Sequence, residues 1–444
     1  MTEGATRSAR AITRTSAAEK TSAIDLSKRD LTLDLARVFC VLLVVAIHLM
    51  MVGVGLDADG QIVVSRPLEG QAWFAPVTWL GQIMPLFFVV GGFASLTAWR
   101  SLVRRGGTGA EYVRNRVLRL AQPALPLYVF YAVVLIVILL IGVDPQLVDT
   151  TVGGAGAPLW FLAAYTLCQS VVPLMVRLHA RAPRRTVLAL LAGVIVVDAA
   201  RYAAEAVADD GLNSPIGLLN LFFVWVLVQQ IGFFYADGWF DRRRWWQLLL
   251  IPAACYGVLA LLVAFGPYSL DMLNNLNPPT LPLVLLGLAQ ACILRLLKPV
   301  LSTLMRTTGA RAVVFLAGTR LMTIYLWHLP IIVIFAGLSL LIPGAAPLPA
   351  SPAWWWSRIL LYVLVLVAIF GLSFLVGRWE APKEVTAVPP TGIVALAAVL
   401  TFIPNLAVLW FFLDLPLAIL GSMLLSVAVL MLGRWPERRS SVAP

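Results

Sequence analysis

The chain has 444 residues, 60% of them hydrophobic and 12% charged, with a mean hydropathy of +0.89. A soluble globular chain runs about 45–50% apolar and about 25% charged, so a soluble fold, a disordered chain and a small disulfide scaffold are all excluded. Apolar stretches of about 20 residues recur, and no alternating barrel pattern is present, which leaves an all-α polytopic membrane protein.

Residues 1–30 are rich in Ser, Thr, Ala and Arg, lack an apolar run with a cleavage site, and read as a disordered cytoplasmic tail. A transit peptide is the alternative, opposed by Glu3, Glu19, Asp25 and Asp30. About twelve spans follow, near 31–53, 75–99, 120–142, 158–176, 187–206, 217–238, 246–266, 281–297, 313–341, 354–377, 391–413 and 415–432. They predict a transmembrane core over 31–380, a helical hairpin over 381–432 and a tail over 433–444. With the N-terminus inside, 28 of the 33 Lys and Arg fall in inward segments. Arg66, Arg201 and Arg358 fall outward, and Arg37 and Arg320 lie within spans. This asymmetry predicts both termini in the cytoplasm of a multi-pass protein of the cytoplasmic (inner) membrane. The net charge of +11 therefore reflects orientation and contact with membrane lipids, not nucleic acid.

Ionisable side chains inside a span are costly and point to chemistry. The first span carries Asp34, Arg37 and His48 on one helical stripe, with Arg37 about 16 Å along the axis from His48. An Asp34–Arg37 pair at the helix entrance and a hydrogen-bonded His48 are the bland alternative. Arg114, Arg116 and Arg119 lead into the third span, and the last two form a cationic face suited to phosphate or to lipid headgroups. The glycines at 106, 107 and 109 read as a flexible turn. Trp160 opens the fourth span. Asp198, Arg201 and Glu205 toward the outer end of the fifth either line a vestibule or neutralise one another. His179 reads as surface. Arg320, Tyr325 and His328 stand in GTRLMTIYLWHLP, the last two one turn apart, as catalytic residues or as an interhelical pair. The four cysteines read as reduced packing residues, and no cluster with metal-ligand spacing, phosphate loop or internal repeat is visible.

The segments RDLTLDLARVFCVLLVVAIH, PLFFVVGGF, RNRVLRL, LWFL at 159–162 and IYLWHLP at 324–330 resemble the acyltransferase 3 membrane proteins. These move acyl groups from acyl-CoA to hydroxyls, mostly on extracytoplasmic glycans and lipids. NPPT at 277–280 and TRLMTIYLWH at 319–328 look like the actinobacterial branch. The resemblance covers about 30 to 380 and implies a ten-helix core, with His48 the catalytic histidine, Arg37 its partner and Arg116 with Arg119 the acyl-CoA anchor. It departs from the family at Gly91, where a serine is usual, and at Leu321, likewise a usual serine.

Resemblance and buried charge together predict acyl transfer from acyl-CoA, acetyl-CoA foremost, without a metal. Asp34, Arg37 and His48 form the catalytic group. Arg114, Arg116, Arg119 and Trp160 hold the donor. Tyr325, His328, Arg320, Asp198 and Arg201 support the acceptor, a hydroxyl-bearing glycan or glycolipid. His48 acts as general base or carries the acyl group itself. The alternatives are a secondary transporter or flippase, which calls for two related halves, and tailoring of a cytoplasmic natural product. Homo-oligomerisation is left open.

Overall fold

A computed structural model describes residues 30–142, 156–208, 215–380 and 387–433. The expected tails lie outside the described residues, except for Asp30 and Gly433. Twelve helical segments among the described residues are long and apolar enough to cross a membrane. In lipid every backbone N–H and C=O must be satisfied within the segment, and an apolar chain meets this by becoming helical.

The first span is α1 (Leu31–Met51), followed by a hairpin of β1 (Gly53–Leu56) and β2 (Ile62–Ser65), then short α2 (Phe74–Gly81) and α3 (Met84–Arg104). Next come α4 (Gly109–Leu140), α5 (Trp160–Arg181), α6 (Pro183–Ala208), α7 (Asn220–Ala236), α8 (Trp245–Phe265) and α9 (Leu281–Leu304). Short α10 (Thr308–Gly318) precedes α11 (Leu321–Leu340), α12 (Pro352–Val376), α13 (Thr391–Phe411) and α14 (Leu415–Gly433).

Local chemistry sets these limits. Asp30 caps α1 by accepting from the Thr32 N–H at 3.1 Å, and its carboxylate pairs with Lys298 at 2.9 Å. Burial pushes the Asp30 carboxyl up, but the Thr32 hydrogen bonds and the Lys298 ammonium outweigh it and hold the group below the usual carboxylate range. Thr108 caps α4, accepting from the Glu111 N–H at 3.2 Å, so the third helix starts eleven residues before the expected 120. Arg116 and Arg119 consequently sit inside it. The ninth expected span, 313–341, is two helices broken at Thr319 and Arg320. Glu380 caps the second of these, accepting from the Met322 N–H at 2.9 Å and the Thr323 hydroxyl at 2.6 Å. Burial nonetheless lifts the Glu380 carboxyl above its usual range.

Short connections make consecutive spans antiparallel, so the bundle has a basic end, where α1 begins, and a far end. The helices close tightly where small residues allow it: a Cβ on Gly92 would lie 2.2 Å from the Gln229 carbonyl oxygen, and one on Gly232 2.1 Å from that of Val89. α3 and α7 thus meet backbone to backbone, with Phe88 and Trp225 stacked at 4.3 Å beside the contact. The hairpin lies between the first two expected spans and joins two distant connections. Its Leu56 N–H donates to the Ala346 carbonyl at 3.0 Å, and Gly55 lies so close to Pro347 that a Cβ would be 2.2 Å from its carbonyl oxygen. All four cysteines are buried and unpaired.

Candidate active site

Helix α1 presents Arg37 and His48 three turns apart, and the two surroundings differ. Toward the basic end, Arg116 lies over the Tyr112 ring at 5.3 Å. The Tyr112 hydroxyl donates to Gln169 Oε1 at 3.0 Å, and Gln169 Nε2 donates to the Ser95 hydroxyl at 3.0 Å. Arg119 is within electrostatic reach of both Arg116 and Arg37, and Tyr165 is within reach of Arg116 and Arg119. Repulsion of Arg119 by the guanidinium groups of Arg116 and Arg37 favours an anion near them. Tyr165 also accounts for Gly91: a Cβ there would stand 3.2 Å from its ring, so the glycine admits the tyrosine.

From Tyr165 an aromatic wall leads to the far end. Tyr165 stacks with Phe161 at 5.4 Å, Phe161 meets Tyr325 at 4.9 Å, and Tyr325 meets His328 at 5.8 Å. The Tyr325 hydroxyl is tied to the Pro158 carbonyl at 2.7 Å. His328 is fully buried and lies edge to edge with His48, ring centroids 4.9 Å apart and planes within 16°, with His48 Nδ1 2.8 Å from His328 Nε2.

The tautomers follow from the partners. His328 Nδ1 lies 2.6 Å from the Tyr325 carbonyl, which can only accept, so Nδ1 carries the proton. With both rings neutral, His328 Nε2 is then a lone pair and His48 Nδ1 must donate to it. His48 Nε2 is left as a lone pair with no hydrogen-bond partner among the described residues. His48 borders a cavity of about 590 Å³, which Trp160, Tyr325, Gln82 and the loops carrying Arg66, Glu69, Asn274 and Asn277 also line.

Asp34 lies half-buried in the first turn of α1. Trp160 sits at the histidine end, stacked on Trp225 at 5.8 Å, and not beside the arginines. Arg114 is buried and donates through Nε to the Leu432 carbonyl at 3.0 Å, engaging α14. Asp198 accepts from Asn220 at 2.8 Å, Tyr268 at 2.9 Å and the Leu281 N–H at 3.0 Å, which ties α6 to α7 and α9. Arg201 pairs with Glu205 at 2.7 Å, and neither it nor Asp198 lines the cavity. Arg320 donates to the Ser373 carbonyl at 3.0 Å at the α10–α11 break. His179 is a correction, since it is buried and bonded to Gln230 at 2.8 Å and Asp237 at 3.2 Å. Sequence reasoning missed Tyr112, Phe161, Tyr165 and Gln169. Among the described residues no group of three His, Cys, Asp or Glu is placed to hold a metal ion.

Neither curated proteins nor solved structures give a match. A family model, described as an acyltransferase domain, matches residues 30–378, which takes in α1 to α12 and leaves α13 and α14 beyond it. Together with the twelve spans, that match makes the chain a membrane-embedded member of the acyltransferase 3 family.

Proposed function

We propose that this acyltransferase takes an acyl group, acetyl foremost, from acyl-CoA at the cytoplasmic side of the inner membrane and delivers it to a hydroxyl of an extracytoplasmic glycan or lipid-linked sugar. The observation that carries the reading is the His328–His48 hydrogen bond, which leaves His48 Nε2 as a lone pair on a residue that borders the cavity. His48 Nε2 accepts the hydroxyl proton as the acceptor oxygen attacks the thioester carbonyl. The C–S bond breaks, the new ester C–O bond stays, and His48 returns the proton to the departing CoA thiolate. Arg37, Arg116 and Arg119 bind the donor's phosphates, and the aromatic wall of Tyr165, Phe161 and Tyr325 lies between them and the histidines. About 16 Å of α1 separates Arg37 from His48, a length of the order of a pantetheine arm.

Two measurements on the reconstituted protein test this. His48→Ala is expected to lower acceptor-dependent CoA release by roughly 10²–10⁴-fold with acetyl-CoA binding retained. Arg116→Ala/Arg119→Ala is expected to abolish binding seen at micromolar to low-millimolar acetyl-CoA. Turnover undiminished in the His48 variant, or no acyl-CoA binding by folded wild type, sinks the reading, and the latter returns the case to a transporter.

A further inference from the structure

The helices beyond the family match have no role in the reaction as written, yet they reach the cavity. Val408, Leu409 and Phe412, at the far end of α13, line the same cavity that His48 borders. The α13–α14 hairpin is held firmly in that position. Tyr128 donates to Asn405 Oδ1 at 3.2 Å, Arg114 grips the end of α14, and Gly421 admits the Tyr128 ring, which a Cβ would approach to 2.3 Å. At the turn Leu413 is buried against Gly156, and the Asp414 carboxylate accepts from the Leu417 N–H at 2.8 Å. Between these anchors Phe412 adopts φ of 53°, a left-handed conformation that costs a bulky residue energy and is kept only where the surroundings impose it. Its side chain is 63% exposed, so burial of the ring within the chain does not explain the strain.

The cavity has two characters. Around its loop side stand Arg66, Glu69, Asn274 and Asn277, with the buried Asn277 Oδ1 and Gln82 Nε2 lacking any hydrogen-bond partner. Buried polar atoms of this kind call for a ligand's hydroxyls or for water. Along α1, Leu43 and Val44 also line the cavity, about 6–7.5 Å from the level of His48 toward the basic end. They and the α13 residues make an apolar wall that a free sugar would leave wet.

We propose that Val408, Leu409 and Phe412 form the binding wall for a hydrocarbon chain on the acceptor, so that the enzyme selects a sugar carried on a lipid over the same sugar in solution. The proposal rests on the acyl-transfer reading above and narrows its acceptor. The polar rim holds the sugar, His48 faces its hydroxyl, and the chain lies along α1 and α13. The hairpin is thereby a specificity element added to the acyltransferase core.

The test compares octyl and methyl β-glucoside as acceptors for acetyl-CoA with the protein in lipid nanodiscs, reading the ratio of their kcat/KM values. Partitioning of the octyl compound into lipid is common to every variant, so the change in the ratio isolates the wall. Phe412→Ala and Leu409→Ala are each expected to lower the octyl preference at least tenfold. Met423→Ala, on the exposed side of α14 at 61% exposure, is expected to retain it. An active wild type without octyl preference, or an unchanged ratio in both wall variants, overturns the proposal and leaves the transfer reading standing. A changed preference among acyl donors of different length, with the acceptor ratio unaltered, assigns the wall to the donor and also overturns it. CoA release with neither glycoside, by protein that binds acetyl-CoA, removes these sugars as acceptors and the wall with them, whereas absence of acetyl-CoA binding removes the transfer reading itself.

Discussion

His48 and His328 are 280 positions apart in sequence and 2.8 Å apart in space, and the proposed role of His48 as base needs the second ring for its tautomer. Removing His328 frees His48 Nδ1–H to lose its partner and the ring to exchange the proton between its nitrogens. His328→Ala is therefore expected to lower kcat about 10–100-fold, the cost of losing an orienting partner, with acetyl-CoA affinity unchanged. His328→Gln, whose amide oxygen can accept where Nε2 did, is expected to recover part of the loss. Equal damage to kcat and to donor binding in both variants would mean a packing role alone. At this scale His48, Arg37, Arg116, Arg119 and His328 stood out in the sequence, because charge and imidazole are conspicuous inside apolar helices. Tyr165 and Phe161 were hidden, since an aromatic residue in a membrane helix looks the same whether it faces lipid or a neighbouring ring. Asp198 and Arg201 stood out for the same reason as His48, yet Asp198 ties helices together and Arg201 pairs with Glu205 one turn along its own helix.

The elements follow rules legible in the chain wherever a cap is written into it. Thr108 with Glu111 three residues on is a helix-start signature, and it explains why α4 carries the arginine pair inside its second and third turns. The break at Thr319 and Arg320 has no such mark, because it depends on Glu380 arriving from another helix. At the head of α1, the Asp30 carboxyl is held below the usual carboxylate range, first against burial, by Thr32 and Lys298. A depressed folded-state pKa contributes stability that is complete above the unfolded value of about 3.9 and is lost as pH falls through the folded one. Asp30→Asn keeps a cap but loses the Lys298 pair. Thermal unfolding of the variant is expected to be lower than wild type at pH 7, with the difference shrinking below about pH 4. A difference constant from pH 7 to pH 3 would show that the pair does not contribute.

Over the whole molecule, twelve spans were readable because apolar runs of about 20 residues have one stable form in lipid. Which helices touch was not, since lipid-facing and helix-facing positions are both apolar. Gly92 and Gly232 become informative only when the Gln229 and Val89 carbonyls are seen beside them. The distribution of Lys and Arg predicts orientation. Single cysteines introduced at Asp59, in the β1–β2 turn, and at Gly106, between α3 and α4, should react with an impermeant thiol reagent from opposite sides of the membrane, Asp59 in intact cells and Gly106 only in inverted vesicles. The native cysteines are buried and stay silent. Labelling of both from one side would overturn the topology.

The hairpin after α1 meets the connection after α11 through the Leu56–Ala346 hydrogen bond and the close seat of Gly55 on Pro347. It clasps together the ends of the two helices that bear His48 and His328. Parting the rings by sliding α11 along α1 would require this clasp to open first. The orientational entropy of aligning the two rings is thus settled when the chain folds, so under the proposed mechanism each cycle would begin with the two imidazoles already in register.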